Sequence, residues 1–213
     1  MRIEYRGGTV SPVRADLAVS NTVFRVKQGG AANAATRTEQ VRAQLGSAWA
    51  AVVGSPASPR AISILTAHWA LETDGGRAMP AHNLAGIKAA PGARGAELRT
   101  VEGYGSTRRE VTARFRVYES AEAGARDYVH LLARRFPAAL EAARAGNAGD
   151  FARALAHGGY FTADPAAYRA GLEQRLHALE AGAPLSLPSP PGTLAQMALA
   201  GVLGALRERQ EDA

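Results

Sequence analysis

The chain has 213 residues, 46% of them hydrophobic, and no cysteine, which is enough apolar material for one well-buried core but too little length for two full domains. Without cysteine there are no disulfides, no thiol catalysis and no thiolate-bound zinc, so cohesion must come from packing. The formal net charge of +6 and the pI near 10.1 come almost wholly from arginine; this excess suits a polyanionic partner, but the arginines form no basic run interleaved with aromatics, which argues against nucleic acid.

Met1-Arg-Ile-Glu-Tyr-Arg-Gly-Gly8 lacks the apolar region of a secretory signal, and no apolar stretch reaches the length of a bilayer span. Residues 1–35 mix β-favouring runs (Arg2 to Tyr5, Thr22 to Val26) with Gly, Pro and Asn breakers, as an extended arm or small hairpin of unassigned role would. A helix is predicted from Thr36 or Thr38, with Val41, Leu45, Trp49 and Val52 or Val53 on one face, ending at Gly54-Ser-Pro-Ala57. Ser58 then reads as an N-cap with Pro59 at the first helical position, opening a helix that carries Ile62, Leu65 and Trp69 to Glu72 and closes at Gly75-Gly76.

From about Leu98 to Tyr118, polar and β-branched residues flank Gly103-Tyr-Gly-Ser-Thr107, the pattern of a β-hairpin projecting from a helical body. Ser120 is a candidate cap for the helix bearing Asp127, Tyr128, Leu131 and Leu132; Asn147 and Asp164-Pro165 are similar starts for two more, ending near Gly158 and Gly182. Ala183-Pro-Leu-Ser-Leu-Pro-Ser-Pro-Pro-Gly192 cannot continue a helix and reads as a semi-rigid spacer. Beyond it, residues 193–213 read as a short helix with Leu194, Met197, Val202, Leu203 and Leu206. That helix either packs back on the domain or on a second copy, or docks in a partner's groove. The main domain is thus expected over residues 36–182.

Chemistry concentrates in Ala67-His-Trp-Ala-Leu-Glu72-Thr-Asp-Gly-Gly-Arg-Ala78 and the nearby His82-Asn-Leu-Ala-Gly-Ile-Lys88. A glutamate at the end of an apolar helix, beside an opening glycine loop, can be walled by side chains that raise its pKa toward neutrality while substrate reaches it. These segments, with Phe115-Arg-Val-Tyr-Glu-Ser120, Asp127-Tyr-Val-His-Leu-Leu132 and Gly158-Gly-Tyr-Phe-Thr-Ala-Asp-Pro165 followed by Tyr168, stand in the order and approximate spacing of a known family. Over roughly residues 37–181 the chain resembles the flagellar-type β-N-acetylglucosaminidases, peptidoglycan hydrolases of lysozyme-like fold.

The resemblance implies an α+β, lysozyme-like fold, mainly helical with a β-hairpin flanking the active-site cleft. It implies hydrolysis of the β-1,4 bond after N-acetylglucosamine in peptidoglycan strands, with Glu72 as general acid and no cofactor. Breaking a glycosidic bond usually takes two carboxyl groups; aligning Phe115-Arg-Val-Tyr118 brings Glu102 onto the second acidic position, with Glu97 or Glu110 as substitutes if the hairpin length differs. Tyr160 matches a cleft tyrosine able to hydrogen-bond an acetamido group, although its segment is one residue longer than the family's. Asp127 is expected to orient the hairpin or an arginine, Asn83 and Lys88 to shape the loop through Gly86, and Tyr104 and Tyr118 to support or line the cleft.

Two departures stand out: Thr73-Asp74-Gly75 replaces a tryptophan that usually follows the catalytic glutamate, and Ala85 replaces a phenylalanine. His68, His82, His130, His157 and His177 lack zinc-binding spacing, so a metal-free site is expected. The alternatives are a muramidase or lytic transglycosylase acting on the same glycan, and a non-catalytic peptidoglycan-binding or assembly protein. A cell-wall substrate places the action at the wall or in the periplasm, reached by a non-standard route such as phage delivery or specialised secretion, or by export after synthesis in the cytoplasm.

Overall fold

The computed structural model describes residues 31–77, 79, 81–102, 109–161 and 163–185. Six helices and one antiparallel hairpin follow each other as α1 (Ala31–Val53), α2 (Pro59–Thr73), β1 (Gly95–Glu102), β2 (Arg109–Arg116), α3 (Ala121–Arg135), α4 (Pro137–Arg144), α5 (Ala148–His157) and α6 (Pro165–Glu180). This is the expected α+β, lysozyme-like architecture. The 1–30 and 186–213 segments, with the arm, most of the spacer and the C-terminal helix expected there, lie outside the described residues.

The predicted caps form as side-chain bonds. Ser58 accepts from the Ala61 N–H, Ser120 from Ala123, Asn147 from Asp150 and Asp164 from Ala167, at 3.1, 3.2, 3.0 and 2.8 Å; each satisfies one of the amides a helix start leaves open. α1 departs from the sequence reading, for it is already helical ahead of Thr36. Its alanine-rich first turns propagate a helix readily, and Thr38 sits inside, its hydroxyl donating back to the Ala34 carbonyl at 3.0 Å. α4 had no sequence signal beyond Pro137, because its capping residue is Phe136, which makes no side-chain cap bond.

Helix α2 is the axis of the molecule, packed by α1, α4 and α6. Every residue from Ala61 to Thr73 is buried, more than the one-face pattern of Ile62, Leu65 and Trp69 required, as fits a helix apolar nearly all round. Val41, Leu45 and Trp49 of α1, Tyr128 and Leu132 of α3, Phe151 and Leu155 of α5 and Leu172 of α6 complete this core. Among the described residues no helix is long and apolar enough to cross a membrane.

The hairpin is tied to this body through the loop after α2. Residues 87–89 run beside β2: Arg116 N donates to Ile87 O and Ala89 N to Arg114 O, each at 2.9 Å, and Lys88 forms a bridge with Phe115. At the other side, helix α3 touches the loop backbone so closely that a Cβ on Gly124 would overlap the His82 carbonyl oxygen.

Candidate active site

Glu72 occupies the last turn of α2 and is 5% exposed. The chain turns away at once: Asp74 takes left-handed φ of 52°, and Gly75 and Gly76 follow at 63° and 84°. Thr73 fastens the turn, donating to Trp69 O at 2.6 Å and accepting from Gly76 N at 3.0 Å. Glycine is required at position 76, where a Cβ would lie 2.8 Å from both the Trp69 ring and the Arg37 side chain. The Trp69 indole is wholly buried and serves the core.

Behind Glu72 lies a buried polar cluster. The Tyr168 hydroxyl of α6 donates to Glu72 Oε1 at 2.5 Å and stands 2.8 Å from His68 Nε2. His68, one turn before Glu72 on the same helix face, has its Nδ1 2.5 Å from the Tyr128 hydroxyl of α3. Burial drives the His68 pKa from 6.5 to about 3, leaving the ring neutral. Burial, and then the charge of Glu72, push the phenols of Tyr128, Tyr160 and Tyr168 well above their ordinary range, so all three remain hydroxyls. Arg175, fully buried on α6, donates from Nη1 to Gly171 O at 3.1 Å; burial lowers its pKa, while Asp74, Glu72 and Tyr168 oppose that shift.

Tyr160 closes the cluster from the segment after α5. Its ring lies 5.1 Å from that of His68 and 5.3 Å from that of Phe136, and its hydroxyl donates to the Ala85 carbonyl at 2.8 Å. The phenol thus reaches the Asn83 to Lys88 loop at Ala85. Phe161 stacks on Tyr168, ring centroids 3.6 Å apart and planes 10° from parallel.

The supporting residues sit where a hairpin is held against helices. Asn83 Nδ2 donates to Ile87 O and Arg116 O at 2.9 and 3.0 Å while its Oδ1 accepts from Ile87 N at 2.9 Å, clasping loop and β2 together. Asp127 Oδ2 accepts from Arg116 Nη1 at 2.6 Å and from the Tyr118 hydroxyl at 2.5 Å, fixing the end of β2 on α3. Tyr118's phenol is held up by burial and by its bond to Asp127. Glu102 is the last residue of β1, paired with Arg109; Tyr104 lies outside the described residues, and Glu97 is exposed. Among the described residues no cluster of His, Asp and Glu is suited to a metal ion.

Glu72 and Tyr160 lie at the buried cluster and Asn83 and Asp127 at the clasp between hairpin and helices, while His68 and Tyr128, to which the sequence assigns no role, are joined to Glu72 through Tyr168. The spacing of His68 and Glu72 was the available signal, since residues four apart share a helix face.

The glucosaminidase family model, described as mannosyl-glycoprotein endo-beta-N-acetylglucosaminidase, matches residues 56–181, more than half of the chain. Among solved structures, a mutant of the peptidoglycan hydrolase from Sphingomonas sp. A1 is 29% identical, with 68% of this chain and 90% of that chain covered and a TM-score of 0.50. A C-terminally truncated glycoside hydrolase domain of FlgJ from Salmonella typhimurium is 32% identical, covering 68% of this chain and 98% of that one at a TM-score of 0.47. The catalytic domain of the autolysin Auto from Listeria monocytogenes, 21% identical with 72% and 85% covered and a TM-score of 0.51, shares the fold. No curated protein sequence matches. With the family model spanning α2, the hairpin and α3 to α6, the chain belongs to the glucosaminidase family of glycoside hydrolases.

Proposed function

We propose that the protein cleaves the β-1,4 bond after N-acetylglucosamine in peptidoglycan, with Glu72 as the general acid that protonates the leaving oxygen. The observation that carries this reading is the setting of Glu72: a carboxyl almost removed from solvent at the end of the central helix, hydrogen-bonded by Tyr168 and bordered by a glycine turn. The similarity to the Sphingomonas peptidoglycan hydrolase supports the substrate class.

Glu102 is the second carboxylate in this reading. Glu102 is paired with Arg109 at the end of β1, and Glu97 or Glu110 takes its place if the acidic position sits elsewhere on the ribbon. Either water or the substrate's own acetamido oxygen completes the displacement. Tyr160, whose proton is directed to Ala85 O, offers its lone pairs to an acetamido N–H.

Peptidoglycan strands are the partner in this proposal, and action at the wall or in the periplasm follows from them. Docking of a protein partner through residues 193–213 is a separate proposal about a segment outside the described residues. The test is Glu72→Gln on purified sacculi: clearing is expected to fall by roughly a hundredfold or more, the scale of a positioned general acid, with folding retained. An equally active variant refutes the assignment. A reducing-end N-acetylglucosamine among the products supports the bond proposed; a reducing muramic acid marks a muramidase, a 1,6-anhydro product a lytic transglycosylase, and binding without cleavage a wall-binding protein.

A further inference from the structure

The buried cluster behind Glu72 is a hydrogen-bonded chain whose direction is fixed by the chemistry of its members. An ionised carboxylate only accepts, so the Tyr168 hydroxyl gives its single proton to Glu72 Oε1, 2.5 Å away. Toward His68 Nε2, at 2.8 Å, that hydroxyl then has only lone pairs to offer, so Nε2 must carry a hydrogen. His68 is fully buried among Tyr128, Phe151, Tyr160 and Tyr168 and neutral, and it therefore has one ring hydrogen. Nδ1 is left as an acceptor, and the Tyr128 hydroxyl, 2.5 Å away, donates to it.

We propose that His68 is a positioning residue for the reaction: set as the Nε2–H tautomer while Glu72 is ionised, with Tyr128 donating to its Nδ1, it keeps the Tyr168 hydroxyl directed at Glu72 Oε1 when the acid is reprotonated, so that the transferable proton resides on Oε2. The inference rests on the reading of Glu72 as the acid. Without the Nε2–H, the Tyr168 hydroxyl is free to turn and accept from a proton on Oε1, which places that proton on the interior side of the carboxyl. Both arrangements are hydrogen-bonded, so what is lost is the fraction of molecules with the proton on the reacting oxygen. The titratable groups facing Glu72 are His68 on its own helix, Tyr128 from α3, Tyr160 from the segment after α5, and Tyr168 and Arg175 from α6. The histidine stays neutral and the phenols protonated near neutral pH, so none of them reverses the chain there.

Two substitutions separate positioning from packing. Glutamine carries an amide N–H and a carbonyl at nearly the spacing of the two ring nitrogens, so His68→Gln preserves the direction of the chain, whereas His68→Leu removes both groups. In the full chain acting on soluble glycan fragments, His68→Leu is expected to lose roughly tenfold or more in kcat with KM within about twofold, as mis-set geometry does. His68→Gln should recover kcat to within about threefold of wild type. Tyr168→Phe removes the donor to the ionised carboxylate, so the pH above which kcat/KM falls is expected to move upward. Nitrogen NMR of the wild-type protein at neutral pH should show His68 as the Nε2–H tautomer whether or not any variant folds.

An Nδ1–H tautomer or an imidazolium overturns the proposal, as does a folded His68→Leu with wild-type kcat. If His68→Leu does not fold, the tautomer and the Tyr168→Phe profile decide, and an unshifted profile counts against the proposal. Glu72→Gln run alongside separates the two readings: an active Glu72→Gln removes the acid assignment itself, whereas an inactive one beside unaffected His68 and Tyr168 variants removes only the positioning chain.

Discussion

Asn83 shows how much one small side chain does here. Its amide serves Ile87 N, Ile87 O and Arg116 O at once, and Asn83→Ala leaves these groups without their partner at a cost of about 1–3 kcal/mol for each one stranded from water. Thermal unfolding is expected to drop by several degrees, at roughly 2–4 °C per kcal/mol for a chain this long; an unchanged melting temperature would mean water takes the place of the amide. His68 gives a pH prediction. Its folded pKa of about 3 lies below the free value of 6.5, so as pH falls through that window the unfolded chain binds a proton that the folded chain refuses. The stability tied to a neutral His68 is complete above the unfolded pKa and drains below it at up to about 1.4 kcal/mol per pH unit. Melting temperature should therefore fall more steeply on acidification in wild type than in His68→Gln, and parallel curves would show that the ring is not kept neutral. Glu72 and Asn83 were legible as motif positions and Asp127 as an expected anchor. Nothing linear, however, announces that Tyr128 and Tyr168, 60 and 100 residues beyond His68, meet its two nitrogens.

Among the elements, helix starts were legible wherever a side chain caps them, because the capping oxygen and the helix it opens are sequence neighbours. Where the cap is Phe136, or where alanines carry α1 upstream of Thr36, local signals fail and packing or propensity decides. The glycines illustrate a different gap. Gly46 of α1 has nothing within 4 Å of the place a methyl group would take, whereas a methyl on Gly124 of α3 would collide with His82 O, and both look alike in sequence. Gly46→Ala is expected to stabilise by about 0.5–1 kcal/mol, the helix-interior difference between the two residues. Gly124→Ala must push α3 and the His82 loop apart, costing about 1–3 kcal/mol or more and moving the loop that holds the Ala85 carbonyl against Tyr160. Denaturant unfolding of the two variants checks the contrast; equal effects would refute the close approach.

At the scale of the whole molecule, the helical body with a projecting hairpin was legible because each amphipathic face and the turn-rich 98–118 stretch have their own periodicity. The end of the body was less so. Leu185, inside the proline-rich stretch that reads as a spacer, is 6% exposed and joins the core, since an apolar residue just past a helix end can fold back over it. Truncation after Leu185 is expected to leave folding and hydrolysis of soluble fragments intact, whereas truncation after Gly182 should cost about 1.5–3 kcal/mol, the burial of one leucine; equal melting temperatures would move the boundary back to Gly182. The burial of α2 on every side also has a kinetic consequence. Amides in such a helix exchange with solvent only when the whole body opens, while a two-stranded ribbon is marginal by itself and opens locally. Among the described elements, the acid proposed at Glu72 therefore rides on the buried central helix and its proposed partner Glu102 on the end of a two-stranded ribbon, so hydrolysis should fade on warming before the helical signal melts, with hydrogen exchange in β1 and β2 rising in step with the lost turnover.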